Sequence, residues 1–71
     1  MLVDFKTLPD TSRIWIYQSS RGFSEAELLE VRSELDAFLQ DWTAHGSDLN
    51  AGYEMPYNRF IVIGLDQTSA G

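Results

Sequence analysis

Phe60-Ile61-Val62-Ile63-Gly64-Leu65 is a run of six residues without a charge. A strand with one wet face alternates apolar and polar residues, whereas an unbroken apolar run is covered on both faces and belongs in the middle of a sheet. Asp66 ends the run, and Pro56-Tyr57-Asn58-Arg59 precedes it. Asn58 tolerates the left-handed backbone that tight hairpin turns use, so this tetrapeptide reads as a turn. Upstream, Ala51-Gly52-Tyr53-Glu54-Met55 has the length of a strand with weak alternation, and Pro56 at its end suits an edge or a turn. The spacing predicts a hairpin of strands over 51–55 and 60–65.

Working towards the start of the chain, Arg13-Ile14-Trp15-Ile16-Tyr17-Gln18 is rich in β-branched and aromatic residues, which fit a pleated surface. It predicts a further strand over 13–18, with Ile14 and Ile16 on one face and Trp15 and Tyr17 on the other. Between the strands lies a helix with a complete start signal. Ser24 is placed as the N-cap, Glu27 three residues on completes a capping box, and Phe23 with Leu28 has the spacing of a hydrophobic staple. Leu28, Val31, Leu35, Phe38, Leu39 and Trp42 then recur at steps of three and four and form one apolar stripe. Glu30, Arg32, Glu34, Asp36, Gln40 and Asp41 supply the wet side. Gly46 after His45 can adopt the left-handed conformation that ends a helix, so the helix is expected over 25–44. Ser47-Asp48-Leu49-Asn50 links it to the hairpin. Residues 1–12 form a lead-in closed by the turn signal Pro9-Asp10-Thr11-Ser12, with room for one helical turn over Asp4 to Leu8. The tail from Asp66 to Gly71 is small and polar and is expected to fray.

Alternating directions make the strand over 60–65 antiparallel to both others. Placing the most apolar strand in the centre gives the order 2-3-1, with the helix across one face. The expected fold class is α+β: a β-α-β-β unit with a three-stranded antiparallel sheet, like a partial ferredoxin-like fold whose second helix and fourth strand are absent. One helix cannot cover both faces of a sheet. Trp15, Tyr17, Phe60 and Val62 are therefore expected to form an exposed interface patch, larger than a monomer tolerates, through which the chain homodimerises by sheet face or edge.

Composition narrows the function classes. With 71 residues there is room for one core, and 44% apolar residues argue against intrinsic disorder. Five Lys and Arg against eleven Asp and Glu leave a net charge of -6. Lys6, Arg13, Arg21, Arg32 and Arg59 form no stripe, so neither nucleic acid nor an anionic membrane is an expected partner. Residues 1–20 lack the basic start and apolar run of a secretion signal, and the expected compartment is the cytoplasm. The absence of cysteine removes thiolate ligands and a thiol nucleophile. A single histidine makes a zinc site remote, there is no G-x-x-x-x-G-K-[ST] loop, and no cofactor is expected.

Few residues are left that could carry chemistry. His45 titrates near neutrality and could serve as acid or base at the helix end, although a favourable interaction with the helix dipole explains it without a ligand. Asp66 stands at the end of an apolar strand, where α/β proteins often place a functional carboxylate, but a solvated strand-end Asp is the plainer reading. Tyr57, Asn58 and Arg59 offer hydrogen-bonding groups at a hairpin tip, with turn chemistry as the alternative. Trp15, Tyr17 and Trp42 could stack on a base or sugar, but the acidic balance favours packing.

The pattern Leu8-Pro9-Asp10, Arg13-Ile14-Trp15-Ile16-Tyr17-Gln18, Trp42-Thr43-Ala44-His45-Gly46 and Tyr57-Asn58-Arg59-Phe60-Ile61-Val62 resembles the amino-terminal half of a family of uncharacterised bacterial proteins often labelled ABC transporter ATPases. The resemblance covers nearly the whole chain and implies a parent about twice as long. It also implies a Gly-Cys-Ser type segment and a second helix after residue 71. Two functions follow as expectations: a small interaction or regulatory domain, or half of an enzyme or ligand-binding domain whose reactive residues lie beyond residue 71.

Overall fold

A computed structural model of the chain describes residues 1–44 and 49–66. Its elements in chain order are β1 (Arg13–Gln18), α1 (Glu25–Ala44), β2 (Asn50–Glu54) and β3 (Phe60–Asp66), with 3-10 turns at Phe5–Thr7 and Pro56–Asn58. β3 is hydrogen-bonded on both sides, antiparallel to β1 and to β2, in the order β1-β3-β2. This is the α+β arrangement that the apolar run predicts. β2 starts one residue earlier than expected and β3 runs one residue further, to Asp66. His45, Gly46 and residues 67–71 lie outside the described residues.

The helix begins as its capping box dictates. The Glu27 amide donates to Ser24 Oγ at 3.2 Å, and the Ser24 amide donates to Glu27 Oε1 at 3.0 Å. Arg21 adds a bidentate pair to the same carboxylate, with both bonds at 2.9 Å. The Arg21 guanidinium, and after it Ser24, hold the Glu27 carboxyl down at about 2. The ion pair is on the surface, so its effect on stability is modest.

The register places two side-chain sets on the two faces of the sheet. Trp15, Tyr17, Ile61, Ile63, Leu65, Ala51 and Tyr53 share one face. α1 lies on that face, and Leu39, Ala51 and Leu65 form the buried centre, ringed by Leu2, Trp15, Trp42, Leu49, Tyr53 and Ile63. Trp15 is thus half-buried in the packing under the helix, edge-on to Trp42 with ring centroids 6.1 Å apart, and less open than the expected patch requires. The reason is the helix placement: the aromatic side of β1, not the isoleucine side, faces it. Phe38 departs from its predicted stripe and is exposed, stacked on Trp42 at 5.7 Å. Asp36, expected on the wet side, is half-buried and accepts a 2.7 Å hydrogen bond from the Tyr53 hydroxyl. Burial, and then this bond, push the Tyr53 hydroxyl above its ordinary pKa.

The other face is not left to solvent alone. The chain begins alongside the outer edge of β2, where the Val3 amide donates to Ala51 O at 2.8 Å and the Ala51 amide to Met1 O at 3.0 Å. It then crosses beneath the sheet along the row Gly52–Gly64–Ile14, residues paired side by side in the register. A Cβ on Gly52 would stand 2.7 Å from Val3 O and 2.9 Å from Phe5 Cα, both backbone atoms. A Cβ on Gly64 would meet Leu8 Cδ1 at 2.7 Å and Phe5 Cε2 at 3.1 Å, both ends of side chains. Residues 1–8 therefore act as a strap seated in a notch of two glycines. The single helical turn expected over Asp4 to Leu8 is the short 3-10 turn Phe5–Thr7, capped by Asp4 Oδ1.

Two outcomes test this account. Gly52→Ala should cost about 1–3 kcal/mol in urea denaturation, because backbone must move, and Gly64→Ala clearly less, because Leu8 can swing away; equal losses would remove the notch from the explanation. Glu27 has a lowered folded pKa, so its contribution is complete above the unfolded value of 4.5 and is lost as the pH falls towards about 2. Glu27→Gln keeps the capping geometry without the charge. The melting-temperature gap between wild type and this variant should be flat above pH 4.5 and shrink below it.

Candidate functional site

An edge strand is a row of unpaired N–H and C=O groups, and folded proteins shield such rows with lysine, proline, bulges or covering chain. The outer edge of β2 is covered at Ala51 by Met1 to Val3. Among the described residues nothing pairs with the outer edge of β1. That strand contains no lysine and no proline, and it pairs with β3 without a bulge from Arg13↔Leu65 to Gln18↔Phe60. Its one charge, Arg13, sits at its start with the guanidinium 5.6 Å from the Trp15 ring centroid. Ile14, Ile16 and Tyr17, three of the large exposed apolar side chains, all belong to it, and Ile16 is 66% exposed.

On the helix side of β1 lies a shallow apolar cavity of about 150 Å³ lined by Trp15, Tyr17, Phe38, Trp42 and Ile63. It exists because α1 is centred over β2 and β3, where Leu39 meets Ala51 and Leu65, and leaves the β1 margin half-covered. On the opposite face, beyond the strap, the rows Ile16–Val62–Glu54 and Gln18–Phe60 follow in register. Tyr57 stands edge-on to Phe60, with ring centroids 6.3 Å apart.

The residues singled out in the sequence are therefore not gathered in one place. Trp15 and Tyr17 are on the helix face, whereas Phe60 and Val62 are on the strap face, so the expected interface set spans both sides of the sheet. Ile14 and Ile16, which carry more of the exposed apolar surface than Trp15, were signalled by the same alternation. His45 lies outside the described residues. Asp66 is buried at the end of β3, in register with Asn50 and beyond the row of glycines. Asn58 and Arg59 have structural work: Asn58 O accepts from the Phe23 amide at 2.6 Å, and Arg59 donates to Ser20 O at 2.8 Å and Ser19 O at 3.3 Å. The hairpin tip thereby anchors the chain that enters α1. The Ser12 hydroxyl is buried with no hydrogen-bond partner among the described residues, and no motif announces it. No group of three or more His, Asp or Glu side chains converges among those residues, and no helix is long and apolar enough to cross a membrane.

Compared with family models, with curated proteins and with solved structures, the chain matches none.

Tyr57 is the residue at this tip that local chemistry does not favour. Its φ of 58° and ψ of 17° are left-handed, as is Asn58 at φ 53°, and a tyrosine carries a cost there that asparagine largely avoids. Its side chain is 89% exposed, so little burial offsets that cost. Tyr57→Gly should stabilise the protein by about 1 kcal/mol in urea denaturation; a loss of stability would mean that the contact with Phe60 outweighs the strain.

Proposed function

We propose that this chain is a small cytoplasmic interaction module that self-associates through the outer edge of β1. The observation that carries the reading is the contrast between the two edges of one sheet. Residues 1–3 shield β2 at Ala51, whereas among the described residues nothing pairs with the unbulged, largely apolar outer edge of β1. An edge of this kind recruits another strand by main-chain hydrogen bonds, with side chains on alternate positions setting specificity. A second copy is the partner favoured, because an antiparallel β1 offers the same outward-facing backbone groups over the same six residues and carries Arg13 as its one charge. The acidic net charge of -6 opposes the encounter of two copies at long range, and salt screens that repulsion.

A second reading has one observation in its favour. In a ferredoxin-like arrangement a fourth strand pairs with the first and a second helix lies beside the first, which are the positions of the open β1 edge and the half-covered aromatic cavity. Under that reading, and under the resemblance to the longer bacterial family, the chain is part of an enzyme or small-ligand-binding domain to which His45 or Asp66 contributes. A longer gene product that is monomeric, with a ligand-induced thermal shift lost in His45→Ala or Asp66→Asn, is the result that favours it.

Light scattering decides the first reading. At roughly 100 micromolar the wild type should have twice the mass of the 8.1 kDa chain, with more dimer as salt is added. Ile16→Lys, which puts a charge on an exposed edge position, should be a folded monomer, whereas Leu29→Lys on the exposed side of α1 should remain dimeric. A wild-type monomer at that concentration overturns the proposal.

A further inference from the structure

We infer that two copies join with their β1 strands antiparallel about a two-fold axis through Ile16, so that Trp15 of each copy faces Tyr17 of the other. The inference rests on the edge-to-edge reading above and adds its register. The Ser19 amide donates to Arg59 O at 2.8 Å, continuing the pairing of Gln18 with Phe60. Antiparallel pairs alternate between residues whose backbone groups face the partner strand and residues whose groups face away. Counting back from Ser19, Tyr17, Trp15 and Arg13 direct their backbone groups to β3. Gln18, Ile16 and Ile14 direct theirs outward. Only these three can bond a second copy.

A closed dimer of identical chains needs a two-fold axis. An antiparallel pair satisfies it only with the axis perpendicular to the sheet, which keeps both α1 helices on the same side and requires facing residues to share a face. Centring the axis on Ile16 pairs Ile16 with its own copy and Ile14 with Gln18 in both directions, for about six main-chain hydrogen bonds. Centring it on Trp15 pairs only Ile14 with Ile16, for about four within the strand, and leaves Gln18 without a strand partner. The first register also sets the aromatic rings of Trp15 and Tyr17 across a non-hydrogen-bonded position, where side chains are closest. The two cavities lined by Trp15, Tyr17, Phe38 and Trp42 then adjoin across the junction. A parallel pairing would invert one sheet and set the aromatic face of one copy beside the isoleucine face of the other.

The chain has no cysteine, so one engineered thiol reports its neighbour without interference. Ile16→Cys places two thiols across the axis on α-carbons about 5.5 Å apart, within disulfide reach. Under a glutathione redox buffer this variant should form the covalent dimer roughly tenfold faster than Leu29→Cys, which measures chance collision. Ile14→Cys alone should match the collision rate, and a mixture of Ile14→Cys with Gln18→Cys should give the mixed disulfide. Circular dichroism of each variant checks that it folds. If Ile14→Cys instead links fastest to Ile16→Cys, the register is overturned and edge association stands; if no β1 thiol exceeds the collision rate while wild type remains dimeric, the copies join elsewhere and both the register and edge association fall. If wild type is monomeric, both fall.

Discussion

The close approach of Val3 and Phe5 to the backbone of Gly52 governs how this small sheet is finished. At 2.7 and 2.9 Å from where a Cβ would stand, the strap needs a residue with no side chain there, and Gly64 on the adjacent strand widens the same notch. Because Gly52, Gly64 and Ile14 lie side by side, one short segment crosses all three strands. It supplies the second covering layer that a single helix cannot. Without it the strap-side face would bare Gly52 and Gly64, both buried, beside Ile14 and Ile16, which are exposed even with the strap in place.

The same segment makes the sheet asymmetric. It must start beside β2 in order to pass under Gly52, and in doing so it satisfies backbone groups of Ala51. It reaches β1 only from beneath and then becomes β1 itself through the turn at Pro9 to Ser12. Among the described residues none then lies along the outer edge of β1. The helix reinforces the asymmetry, since Leu39 is centred over Ala51 and Leu65, and Tyr53 ties α1 to β2 through Asp36. Tyr17 and Phe38 at the other margin are left in contact with water. Edge and cavity are thus two consequences of one offset.

Much of the frame was legible because its signals are local. Ser24 and Glu27 specify a helix start within four residues, and the start at Glu25 follows from hydrogen bonds that those residues make with each other. The charge-free run from Phe60 to Leu65 marks the central strand because the middle of a sheet lies further under its covering layers than the margins do; Gly64 and Leu65 are buried and Phe60 to Ile63 half-buried. The candidate site was less legible. Alternation along β1 separates Trp15 and Tyr17 from Ile14 and Ile16 but does not say which pair meets the helix. The burial of Asp36 was hidden for a similar reason: helical periodicity places it beside the stripe, and only the hydroxyl of Tyr53 on another element draws it in. Tyr57 was masked by its neighbour, since Asn58 accounts for a left-handed turn and nothing in a tyrosine announces a second one.

By itself, the sequence determined the elements, their type and the central place of β3, because capping, turn chemistry and burial of an apolar run act over a few adjacent residues. It also determined the antiparallel directions, since short connections leave little choice. Only the tertiary structure decided which face of β1 lies under α1, how residues 1–8 cover one edge and part of one face, and which edge is unpaired among the described residues. Those outcomes depend on contacts between segments far apart in the chain, such as Val3 with Gly52 and Asp36 with Tyr53, and no local pattern carries them.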